Sequence, residues 1–76
     1  MSNCNPGDIA TLTYSVAGNE GKIFRCLESF YDDGGAGYGL RWITYPVLFD
    51  QYGYVAYPLD KYLLRLDLKN LLDLIR

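Results

Sequence analysis

Histidine is absent from this chain, cysteine occurs only at positions 4 and 26, and no apolar run approaches the length of a membrane span. Each lack closes a class of function. Without histidine the chain has neither the commonest general base nor the commonest nitrogen ligand for transition metals. Two cysteines with no histidine to help cannot complete a zinc site. A bilayer crossing by a helix needs about 20 consecutive apolar residues, so no membrane association is expected. Positive charge is also short: seven basic residues face nine acidic ones, for a formal net charge of −2. A general phosphate-tracking role is disfavoured, because binding to nucleic acid draws most of its non-specific affinity from a concentrated basic face. Residues 1 to 8 are polar and carry neither the basic region nor the apolar stretch of a secretion signal. The expectation is a cytoplasmic protein with reduced thiols, Cys26 packing as a small apolar residue and Cys4 idle near the terminus.

What the chain has in quantity is aromatic surface. Of 76 residues, half are hydrophobic and 16% aromatic, with eight tyrosines, three phenylalanines and Trp42. A domain this small hides only about 60% of the surface its unfolded chain exposes. It cannot bury so many rings completely, and some tyrosines are expected outside, where they suit an interface.

The pattern along the chain is that of a single β domain. Residues 8 to 16 alternate, with Ala10, Leu12, Tyr14 and Val16 on one side and Thr11, Thr13 and Ser15 on the other. Ala17 to Gly21 supply a turn whose glycines and Asn19 accept positive φ. Residues 22 to 30 form a second strand, apolar on both faces, as expected of a long strand bent across two sheets. Residues 31 to 39 hold four glycines and read as a loop. Strand three covers about 40 to 45 and stops at Pro46. Val47 to Phe49 lead to a turn near residues 50 to 53, and 54 to 57 make a fourth strand ended by Pro58. A 3₁₀ turn over 59 to 62 has Asp60 to cap its amides, and 63 to 66 close the sheet. From Asp67, a candidate N-cap, Leu68, Leu71, Leu72 and Ile75 follow helical spacing, so a short amphipathic helix is expected over 67 to 76. It would dock on its own domain or, in a homodimer, on its copy.

Three elements carry a resemblance. They are the corner Pro6-Gly7-Asp8, the turn Gly18-Asn19-Glu20-Gly21-Lys22-Ile23, and the segment Pro58-Leu59-Asp60-Lys61-Tyr62-Leu63-Leu64-Arg65, with Trp42 on the central strand. Together they resemble small bacterial and phage proteins with an SH3-like fold and a KOW-type opening. The resemblance spans residues 6 to 66 and does not supply the C-terminal helix; Leu59 is an extra residue relative to the pattern. It implies a mainly β, five-stranded SH3-like barrel with a 3₁₀ turn, here followed by a short α-helix, and a phage, prophage or other mobile-element origin. Where such barrels contact RNA, Gly21, Lys22 and Arg25 are the matching positions. Glu20 beside them opposes phosphate.

No catalytic constellation is present. Ser15 and Ser29 have no histidine to activate them, the cysteines lack a base, and Asp8, Asp50, Asp60 and Asp67 read as turn formers or caps. Asp32-Asp33 lacks the spacing of a calcium loop, and the glycine-rich loop lacks the ending of a phosphate-binding loop. No catalytic, metal-binding or cofactor-binding residue is therefore assigned, and a non-enzymatic protein-binding module is expected. Its contact residues are taken to be Tyr31, Asp32, Asp33, Tyr38, Tyr52 and Tyr54, since tyrosines interspersed with aspartates give large, rigid contact area. The partner is expected to be a host protein, and the role that of a small adaptor or inhibitor. In size, acidity and lack of chemistry the chain is similar to phage-encoded blockers of bacterial defence, anti-CRISPR proteins among them. The alternatives are a nucleic-acid-associated module using Lys22, Arg25 and Arg41, and a self-associating structural protein joined through Leu68, Leu71, Leu72 and Ile75.

Overall fold

The first strand owes its position to a tight corner. Gly7 adopts φ +93°, a conformation side-chain-bearing residues rarely take. The turn is closed by the Asp8 amide donating to the Asn5 carbonyl at 3.0 Å and the Asn5 amide to the Asp8 carboxylate at 2.8 Å. From there the chain enters β1 (Ile9–Leu12), returns as β2 (Ile23–Asp32), and crosses back as β3 (Gly39–Tyr45). Two short strands, β4 (Leu48–Phe49) and β5 (Val55–Ala56), form a separate hairpin. A 3₁₀ turn over Asp60–Tyr62 then leads directly into β6 (Leu63–Arg65). The computed structural model describes residues 2–33 and 39–67. Over these the protein is mainly β, with an antiparallel sheet in the order β3-β2-β1-β6 beside the β4-β5 pair.

Register follows the alternation. Ala10 pairs with Phe24 on one side and Arg65 on the other, and Leu12 pairs with Leu63. The side chains of Ala10, Leu12, Phe24 and Leu63 join Cys4, Cys26, Trp42 and Leu48 in one core. A bulge between Cys26 and Glu28 shifts the β2–β3 register. Such an insertion bends a strand and raises its twist, but β2 stays within one sheet: Phe24 and Cys26 enter the core while Ile23 and Leu27 are exposed, so the expected bend across two sheets is not found. Beyond the core the 57–59 segment lies along the outer edge of β3, with the Trp42 amide donating to the Pro58 carbonyl at 3.1 Å.

Several expectations need correction. The described residues hold six strands rather than five, split between two sheets. Pairing in β1 ends at Leu12, so Tyr14 and Val16 are exposed instead of continuing the inner face. The stretch read as a loop from residue 31 begins later, because β2 runs to Asp32 and β3 starts at Gly39. Cys4 is 1% exposed and belongs to the core. No described residue is α-helical, and the helix expected over 67 to 76, with Leu68, Leu71, Leu72 and Ile75, lies outside the described residues but for Asp67.

Asp60 also departs from expectation. Its carboxylate makes no cap to the 3₁₀ turn and is buried instead. Oδ1 accepts the Trp42 indole N–H at 2.9 Å and the Cys4 amide at 3.2 Å, and Oδ2 accepts the Asn3 amide at 2.6 Å. The Asn3 side-chain amide donates in turn to the carbonyls of Asp60 and Leu63. One carboxylate thus fastens the N-terminal residues to the central tryptophan and to the last strand.

Candidate binding groove

The turn after β1 shapes the main concavity. Asn19 is buried and donates from its side chain to the Phe49 carbonyl at 3.1 Å, so the turn is bound to the β4–β5 hairpin. Glu20 accepts the Ser15 amide at 3.0 Å, which ties the two ends of the turn together. Thr13 donates both its amide and its hydroxyl to the Tyr62 carbonyl, at 2.9 Å each, and draws the segment after β1 against the 3₁₀ turn. Between these walls lies an open groove of about 640 Å³. Its rings are Tyr14, Tyr57 and Tyr62, joined by Val16, Pro58 and Leu59. Tyr14 and Tyr62 pack at a tilt with centroids 5.1 Å apart, and the Lys61 ammonium lies 5.1 Å from the Tyr62 ring centroid.

One end of the groove is built from Arg41 and Asp32. The Arg41 Nε donates to Asp32 Oδ2 at 2.8 Å, and its Nη1 donates to the Tyr57 carbonyl at 2.6 Å. Phe30 braces Tyr57 edge-on, with centroids 5.3 Å apart. The guanidinium therefore sets the position of the Tyr57 backbone while its charge is met by a carboxylate.

The residues singled out from sequence do not form one patch. Asp32 lines the groove. Tyr31 is exposed at the end of β2 and lines a smaller hollow of about 370 Å³ with Leu40 and Lys61. Asp33 is exposed, and Tyr38 lies outside the described residues. Tyr52 and Tyr54 are exposed in the β4–β5 turn, whose amides are gathered by Asp50 Oδ1 at 2.9 and 3.0 Å. Of the basic residues, Lys22 is exposed in the turn before β2 and Arg25 pairs with Ile9 and Tyr45, whereas Arg41 pairs with Phe30 near the opposite end of the β2–β3 ladder. The structure does not gather the three into a basic patch.

Tyr14, Lys61 and Tyr62 line the groove and were missed by sequence reasoning; Tyr57, one of the tyrosines clustered around the third and fourth strands, lines it as well. A signal did exist for two of them: Pro58 to Tyr62 is the turn that feeds the last strand, and Thr13 anchors to it. Among the described residues no group of three or more histidine, cysteine or carboxylate side chains could hold a metal ion, and no helix is long and apolar enough to cross a membrane. No protein-family model, curated protein or solved structure matches this chain.

Proposed function

We propose that this protein is a non-catalytic binding module, a cytoplasmic adaptor or inhibitor on an SH3-like barrel, which holds an extended segment of a host protein in the Tyr14–Tyr62 groove. The observation that carries the reading is the groove itself. Tyr14 from the segment after β1 and Tyr57, Pro58 and Tyr62 from the segment before β6 line a volume within the range of ligand sites, about 300–1,000 Å³. Rigid aromatic walls suit an extended backbone, because few rotamers need be frozen on binding. Lys61 at the rim favours a segment that places an acidic side chain beside its apolar residues. The exposed Tyr31, Tyr52 and Tyr54 enlarge the contact area around this centre. A phage or other mobile-element origin is part of the same proposal and rests on the resemblance of the corner, turn and Pro58 segments alone.

Selection from a random peptide display library tests the reading. Enriched peptides should bind with dissociation constants of about 100 µM or tighter. They should shift the amide resonances of Tyr14, Tyr57, Lys61 and Tyr62, weaken on Tyr14→Ser, and lose their preference for acidic residues on Lys61→Glu. Peptides mapping only to Tyr31, Tyr52 and Tyr54 would relocate the site, and the absence of any enriched peptide would end the proposal.

A further inference from the structure

The corner at residues 5 to 8 does more than start β1: it folds residues 2 to 4 back across β2. The Gly7 amide donates to the Cys26 carbonyl at 2.7 Å, and the Cys26 amide donates to the Asp8 carbonyl at 2.8 Å, so the corner that carries the strap is laddered onto β2 at one residue. Four residues before Asp8, the Cys4 amide is held by Asp60. These two anchors seat the Cys4 side chain in the core beside Cys26. Both belong to the same core cluster, and neither is more than 1% exposed. Two buried cysteines on separate segments, packed in one cluster, are placed for a bond between strap and strand, which needs Cα atoms within about 7 Å.

We propose that Cys4 and Cys26 are an oxidisable pair, a site that takes up oxidising equivalents from a low-molecular-weight disulfide and closes into an intramolecular disulfide stapling the N-terminal strap to β2. The two thiols are not equivalent. Cys26 lies on a strand paired on both sides, whereas Cys4 lies on a strap that can lift as a unit once the Asp60 and Cys26 contacts open. Cys4 therefore reacts first. Its thiol gives up a proton, and the thiolate attacks the reagent disulfide. That forms a mixed disulfide and releases one reagent thiolate. When the strap returns, the Cys26 thiolate attacks the Cys4 sulfur; the bond to the reagent breaks and its second half leaves as thiolate. The two protons lost by the cysteines end on the two released thiols, and two electrons pass from the pair to the reagent. Burial withholds both thiolates in the closed state, so strap opening sets the rate.

Oxidised glutathione is the probe, applied to the reduced full-length protein in its folded state. Intact mass should fall by two hydrogens, alkylation after denaturation should find no free thiol, and peptide mapping should join residues 4 and 26. The melting midpoint should rise by on the order of 10 °C, as expected for closing a loop of this length. Cys26→Ala should accumulate a single glutathione adduct on Cys4, while Cys4→Ala should stay unmodified until the protein is unfolded. The proposal is overturned if wild-type protein keeps two alkylatable thiols, ends with two glutathione adducts, or links only between molecules. It is equally overturned by a disulfide that lowers the midpoint, or by Cys26 reacting as fast in Cys4→Ala as Cys4 does in Cys26→Ala. Should either variant fail to fold, the wild-type mass and mapping decide alone.

Discussion

The indole N–H of Trp42 donates to the carboxylate of Asp60 at 2.9 Å, with both residues withdrawn from solvent. The pair joins the central strand to the 3₁₀ turn, and the same carboxylate takes the amides of Asn3 and Cys4. A buried charge is tolerable only when hydrogen bonds replace its water, and here three donors do so.

Replacing Asp60 by Ala strands the buried Cys4 amide and Trp42 indole N–H and releases the partly buried Asn3 amide. The expected cost is about 3 kcal/mol or more, a large part of the ~5 kcal/mol or somewhat more available to a domain of this size. Urea unfolding measures it. A double-mutant cycle with Trp42→Phe should return a coupling of about 1–2 kcal/mol; additive losses would mean that the indole bond contributes nothing.

Stability should fall in alkali. Burial, then the neighbouring Cys4, then Asp8 and Asp60, raise the Cys26 thiol from 9.0 to about 12, and burial raises Cys4 as well. In the unfolded chain the thiols ionise near 9.0, while the folded protein retains its protons to higher pH. The stabilisation is complete below pH 9 and is lost as pH rises toward 12, with a slope of roughly 1 kcal/mol per pH unit from Cys26. Chemical denaturation between pH 8 and 11 should show this decline, and Cys26→Ala should flatten it.

Asn19→Ala should cost about 1–2 kcal/mol, because the Phe49 carbonyl loses its donor and a buried amide is replaced by a void. The loss also frees the turn from the β4–β5 hairpin. Amide exchange at residues 17 to 21 should therefore accelerate by more than the global destabilisation explains, and uniform acceleration would show that the hydrogen bond holds no local structure.

Arg41→Ala should cost about 1 kcal/mol. The ion pair with Asp32 is partly exposed, at 23% and 34%, and is discounted accordingly; the bond to the Tyr57 carbonyl supplies the rest. Lysine in its place should recover less than half, since one ammonium cannot serve both acceptors. Raising salt should shrink the ion-pair share of the difference between wild type and Arg41→Ala.

Local chemistry accounts for much of what the sequence revealed. Alternation located β1, the glycine-bracketed turn and the apolar run after it located β2, Pro46 marked the end of β3, and the Pro58 segment marked the 3₁₀ turn. Alternation says which way side chains point while a strand lasts, not where pairing stops. Pairing stops at Leu12 because Thr13 turns to Tyr62 and Ser15 is caught by Glu20, and nothing in the period-two pattern distinguishes Tyr14 from Leu12. Asp60 has the right type and place for a local cap; its true partners lie 18, 56 and 57 positions away. Cys4 sits among polar neighbours and owes its burial to those same distant bonds. The groove was illegible for a related reason, since two of its lining rings, Tyr14 and Tyr62, come into contact only after the chain has closed.

That closure has a consequence for synthesis. As the chain leaves the ribosome from its amino end, β1 to β3 can pair early, but residues 3 and 4 have no acceptor until position 60 emerges. Trp42 waits with them, its indole unpartnered. A nascent chain stopped before that point would display a wet tryptophan and a loose leading end, the marks by which quality-control proteases and chaperones select clients. Emergence of residue 60, rather than any early nucleus, would then be the event that removes it from their reach.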